Sequence, residues 1–173
     1  MNKYNTQQTG FGLIELILYL GITTIILSGI SAFMILSVQS LAKGQIADNT
    51  LAQGSFAMDL ILQRIRNATG TTVPTPGGNG TSLTMTSSTP TLNPTTINLS
   101  GGRIMLQEGA STPVALTPTS VQITNLIFEN LGQAPANGSI RVTFTIESLP
   151  VSNLNGYLTT TQTLIGTATI KRL

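Results

Sequence analysis

Two of the side chains that most often carry protein chemistry, histidine and cysteine, are missing from this 173-residue sequence. Without histidine the commonest general base and metal ligand is absent. Without cysteine there is no disulfide framework, no thiolate metal site and no thiol nucleophile. The acids Glu15, Asp48, Asp59, Glu108, Glu129 and Glu147 stand far apart. No spacing among them suggests paired carboxylates or a calcium loop. The segment "GTTVPTPGGNG" is rich in glycine but lacks the GK[ST] ending and the preceding strand of a phosphate loop. The chain therefore reads as non-enzymatic, with no metal or cofactor expected. Arg64 with Arg66 and Lys171 with Arg172 are the only close cation pairs, too few for a nucleic-acid face. One acid is out of place. Glu15 sits in "GFGLIELILYLGITTIILSG" (10–29), and no other charged residue occurs between Lys3 and Lys43. A carboxylate near the centre of a membrane helix costs roughly 2.5 to 3.5 kcal/mol on insertion scales.

The elements around Glu15 follow from composition and period. Only 8% of residues are charged, against about 25% in a typical soluble domain. Thr, Ser, Asn, Gln and Gly must keep the surface wet. The uncharged run Leu16 to Ala42 exceeds the ~20 residues that span a bilayer as a helix. The first proline is Pro74, so one continuous helix is expected from Phe11 to about Ala68. Gly21, Gly29, Gly44 and Gly54 weaken it, by up to about 1 kcal/mol each relative to alanine. Past Lys43, Leu51, Ser55, Met58, Leu62 and Ile65 recur at helical spacing with Ile61 and Ala68 beside them. The first half of the helix reads as lipid-facing and the second as amphipathic, with Gly70 as its stop.

A loop is expected over "TGTTVPTPGGNG", and after it short strands: "TSLTMTS", "TTINLS", "RIMLQ", "VQITNLIFEN", "SIRVTFTIES" and "TQTLIGTATIK". In Ser139 to Glu147 the residues Ile140, Val142, Phe144 and Ile146 alternate with Arg141, Thr143, Thr145 and Glu147, as in a half-buried antiparallel strand. Gly101-Gly102 signals a two-residue hairpin. A sheet with one apolar face needs a cover, which the helix stripe supplies. The expected fold class is α+β: a long N-terminal helix, membrane-spanning then amphipathic, packed on an antiparallel sheet.

Two ordinary accounts of the N-terminus fit less well. A signal peptide cut before Ala32 needs more basic character than Lys3 provides. It also needs an apolar core of about 7 to 15 residues, shorter than this one. A generic signal anchor leaves Glu15 as an incidental interfacial acid. The order of parts in "GFGLIEL", with a small residue before the apolar run and an acid just inside it, resembles the processing signal of the type IV pilin and pseudopilin superfamily. The resemblance implies that prepilin peptidase cuts between Gly10 and Phe11 on the cytoplasmic side and methylates the new amine of Phe11. Glu15 then becomes the fifth residue of the mature chain and assists assembly. Gly12 departs from the usual Thr or Ser.

The stretch "GSFAMDLILQRIRNATG" is similar to the end of the long helix in minor pilins and minor pseudopilins. The stretch from "GGRIMLQEG" through "NGSIRVTFTIES" is similar to the heads of J-type pseudopilins and their minor-pilin counterparts. Four segments are then implied: a leader at 1–10, a transmembrane and fibre-core helix at 11–42, an amphipathic helix at 43–69, and an exported β-rich head at 70–173. The implied protein is a structural subunit of a type IV pilus-like or secretion-like filament, possibilities that include a competence pilus. It would sit single-pass in the inner (cytoplasmic) membrane with its head outside, then in a periplasmic or extracellular filament. Its implied partners are prepilin peptidase, other pilins or pseudopilins, and an inner-membrane assembly platform. The alternative is a tip adhesin or DNA-uptake subunit on such a filament, which the sparse charges and few aromatics of the head disfavour.

The remaining features have plainer readings. Ser28 and Ala32 form a small-xxx-small pair of a kind common in membrane helices. Met58, Leu62 and Ile65 read as head core. Arg64 and Arg66 suit the negative end of a helix. The "NAT", "NGT", "NLS" and "NGS" triplets are expected by chance in so Asn- and Thr-rich a chain.

Overall fold

The computed structural model describes residues 12–133, 138–153 and 156–170. One helix, α1, spans Leu13–Asn67. Eleven strands follow: β1 (Ala68–Val73), β2 (Asn79–Gly80), β3 (Ser82–Ser87), β4 (Thr95–Ser100), β5 (Arg103–Glu108), β6 (Val114–Ala115), β7 (Val121–Asn130), β8 (Ser139–Ser148), β9 (Val151–Asn153), β10 (Gly156–Leu158) and β11 (Thr161–Thr169). The chain divides into two compact units, residues 1–42 and residues 43–173. The fold class is α+β.

In the second unit the strands form two main antiparallel sheets instead of the single sheet expected. One has the order β1-β3-β4-β5-β6 and the other β11-β8-β7-β2, with β9 and β10 paired apart. Alternation in a strand reveals that one face is buried, but not which sheet the strand joins. Ile140, Val142, Phe144 and Ile146 of β8 are fully buried, between β7 and β11. The β4–β5 hairpin turns at Gly101 and Gly102, whose φ values of 58° and 72° are those of a primed two-residue turn. The same turn joins the sheets, because the Ile123 amide donates to the Gly102 carbonyl at 2.8 Å.

The helix covers this core with most of the sequence stripe, Met58, Ile61, Leu62 and Ile65, but the face shifts at its start. Thr50, Gly54, Ala57, Met58, Ile61, Leu62 and Ile65 are buried, whereas Leu51 is 47% exposed. The cause is close approach. A Cβ on Gly54 would lie 2.9 Å from Leu164 Cδ1 and 3.3 Å from Ile146 Cγ2, so a glycine lets the backbone pass there. Thr50 satisfies its hydroxyl by donating to the Ile46 carbonyl at 2.7 Å. Large apolar residues mark a helix face only where there is room for them.

The helix ends at Asn67, next to the end expected near Ala68, before Gly70 is reached. Asn67 passes directly into β1, where Ala68 and Gly70 are buried and paired against β3 with two register shifts. The segment expected to be a loop thus contains β1 and β2. Its irregular part is held from within: buried Asn130 donates from Nδ2 to the Pro74 carbonyl at 3.0 Å and to Thr71 Oγ1 at 3.2 Å. Its Oδ1 accepts from the Gly132 amide at 3.0 Å. Thr- and Gly-rich strands carry little periodic signal of their own, and their partners define them.

The phase of the buried face is testable by paired substitutions. Ile65→Asp places an unpaired charge in the core, a cost of several kcal/mol against a total stability of about 5 to 15. It is expected to abolish cooperative unfolding of residues 43–173, monitored by circular dichroism. Leu51→Asp should leave the melting curve nearly unchanged. A tolerated Ile65→Asp, or a fold lost with Leu51→Asp, would mean that the buried face is not the one described above.

Candidate functional site

The unit before Lys43 is a helix without a covering. From Leu13 to Leu36 every residue is exposed, including Ile25 at 73% and Phe33 at 73%. This helix is long and apolar enough to cross a membrane. Its hydroxyls turn back on their own backbone. Thr23 and Thr24 donate to the carbonyls of Tyr19 and Leu20 at 2.7 Å, and Ser28 donates to Ile25 at 2.8 Å. Such bonds satisfy polar groups without water, as a hydrocarbon environment demands. Ser28 and Ala32 are exposed, with no helix against them among the described residues.

Glu15 lies in the first turn of α1, where its amide donates to the Gly12 carbonyl at 3.0 Å. An acid in this position is favoured by the unpaired amides and positive dipole end of the helix. Its carboxylate is exposed, beside the exposed apolar side chains of Leu13, Ile14, Leu16 and Ile17. Gly10 and Phe11, the expected cleavage and methylation positions, lie outside the described residues. What the geometry provides is a single anionic side chain at the start of an otherwise uncharged apolar rod.

The second unit offers a cleft of about 350 Å³ and mixed polarity beside the C-terminal end of α1, lined by Arg64, Thr69, Met85, Thr86, Leu92 and Glu108 among others. Arg64 reaches Glu108 at 3.1 Å across it. Arg64 was expected only to face the negative helix end. The ion pair escaped the sequence reading because Glu108 is distant in the chain; its place at the end of the alternating "RIMLQE" run was the available hint. A second pair, Arg141 with Glu129 at 3.0 Å, links β8 to β7 on an exposed face. Among the described residues no three acidic side chains converge in the manner of a metal site. Comparison with family profiles, curated proteins and solved structures returns no match to this chain.

Because Arg64 is 41% exposed, its pair with Glu108 belongs to the weak class of partly solvated bridges. A double-mutant cycle of Arg64→Ala and Glu108→Ala, read by chemical denaturation, should give a coupling under about 1 kcal/mol. A coupling of several kcal/mol would identify the cleft as a structural keystone.

Proposed function

We propose that this chain is a structural subunit, a minor pilin or minor pseudopilin, of a type IV pilus-like or secretion-like filament. The observation that carries this reading is the lone carboxylate of Glu15 in the first turn of an exposed apolar helix, five residues after Gly10. Cleavage after Gly10 by prepilin peptidase would create an amine at Phe11 one helical turn from that carboxylate. In lipid the amine and carboxylate can stay near the interface. In a filament whose core is made of such helices, both charges lose their water and each needs an opposite charge. Subunits offset along the axis bring one subunit's Glu15 to a neighbour's Phe11 amine. Removing one member leaves the other buried and unpaired, at roughly 3 to 5 kcal/mol. Glu15 thus sets the register of assembly. Residues 11–42 hold the subunit in the cytoplasmic membrane beforehand, with the head outside the cytoplasm, and an inner-membrane platform extracts it. The split of the chain into two compact units, between residues 42 and 43, supports this division of labour.

Processing is measured by intact mass of the protein from its native host. The expected chain begins at Phe11 and carries one added methyl group; a chain beginning at Ala32, or one retaining Met1, removes the reading. Assembly is measured by the share of protein in sheared filaments. Glu15→Ala should remain processed and membrane-bound while its incorporation falls sharply, and unchanged incorporation would deny Glu15 a role in register.

A further inference from the structure

Sheet edges expose unpaired amides and carbonyls, and proteins usually blunt them with short strands, bulges, charges or proline. Three of the four edges of the two main sheets are blunted in this way. β2 and β6 have two residues each, and β1 carries two register shifts and runs into Pro74. The fourth edge, β11, has none of these devices. Its nine residues keep unbroken register with β8, and none is charged or proline. Among the described residues no strand pairs with its other edge.

Beside that open edge runs a groove of about 380 Å³ between α1 and β11, lined by Ser55, Met58, Asp59, Leu62, Leu164 and Gly166 together with Ile165. At its floor Met58 packs directly onto Gly166, where a Cβ would stand 2.7 Å from Met58 Sδ. Asp59 is exposed at the groove and forms no ion pair among the described residues. On the face away from α1, Thr161, Thr163, Ile165, Thr167 and Thr169 form an exposed β-branched ladder. An added strand would gain main-chain hydrogen bonds from the edge and a seat for alternate side chains in the groove, the two elements of strand addition.

We propose that the β11 edge and this groove receive an extended segment of a different protein, with an aliphatic side chain between Met58, Leu62 and Leu164 and a basic side chain at Asp59. A second copy of this chain is the obvious rival, because the outward ladder reads Thr, Thr, Ile, Thr, Thr in both directions. Antiparallel pairing of two β11 edges needs a two-fold axis normal to the sheet, which reverses every direction within it. The α1 segments lying on the two sheets would then run oppositely, and the chains would enter their heads at Lys43 from opposite ends. Such a pair would bring only uncharged β11 side chains to the groove and no cation to Asp59, whereas a segment of a different protein can carry one. Parallel pairing turns one sheet over and sets the Thr–Ile ladder of one copy against the helix-covered face of the other.

The test uses the full-length chain in detergent micelles and a capped nonapeptide. The peptide has threonine at odd positions, valine at the second, fourth and eighth, and lysine at the sixth. Hydrogen exchange should slow at the β11 amides that point away from β8. A peptide N-methylated on the amides facing β11 should have no effect. Asp59→Lys, a change at an exposed position, should reverse the preference between the lysine peptide and its glutamate counterpart by roughly fivefold in affinity. Absent protection of β11, equal binding of the N-methylated peptide, or an unchanged charge preference overturns the proposal. So does a disulfide between two Ile165→Cys chains reconstituted in one bilayer, which would make the occupant a second copy. The mass of the N-terminus is scored separately, so failure at β11 is distinguishable from failure of the filament reading.

Discussion

The head depends on one constraint: the backbone of α1 must lie close enough to β8 and β11 to seal the core. Gly54 and Gly166 set that distance, and Met58, Ile61, Leu62 and Ile65 fill the space it leaves. Once the helix is in place, the fully buried row Ile140, Val142, Phe144 and Ile146 has a cover, and the second sheet contributes Leu83, Met85, Ile97 and Ile104 to the same core. Burial of this order, at about 25 cal/mol per Å² of apolar surface, is what offsets the chain entropy of a head with so few ion pairs. The polar staples, such as Asn130 holding the segment around Pro74, then satisfy groups that the core would otherwise strand.

The same helix meets opposite demands along its length. Before Lys43 its exposed side chains are apolar and its hydroxyls are bonded to its own carbonyls, which suits a medium without water. After Lys43 one face is buried against the sheets, and Asp48, Asp59 and Arg66 are exposed. The filament subunit proposed above, moved from a bilayer to a fibre core while its head stays in water, would use both patterns.

The sequence disclosed those features that depend on periodicity within one element. The alternation of Ser139 to Glu147, the paired glycines at Gly101 and Gly102, and the uncharged run to Ala42 each carry their own signal, and the structure has β8, a primed turn and an exposed apolar helix there. Features that depend on two distant segments were not legible. Leu51 looked like core because it is large and correctly spaced, yet the close approach at Gly54 selects Thr50 and excludes it. β1 and β2 looked like loop because Thr and Gly dominate them, and only pairing with β3 and β7 makes them strands. At the candidate site, Glu15 was conspicuous by chemistry alone, whereas the Arg64–Glu108 bridge and the groove beside β11 required the fold.

The central claim is that Glu15 is a charge waiting for a neighbour's amine. Its most direct test treats assembled filaments with a lipid-soluble carbodiimide, which joins a carboxylate to an amine in contact with it, followed by mass spectrometry of the digested material. The account predicts an amide between Glu15 of this chain and the N-terminal amine of an adjacent subunit, absent when the same subunits are treated before assembly. If Glu15 is instead modified readily by a water-soluble carboxylate reagent in intact filaments, and is joined to no N-terminus, the carboxylate is solvated and unpaired and the account is contradicted.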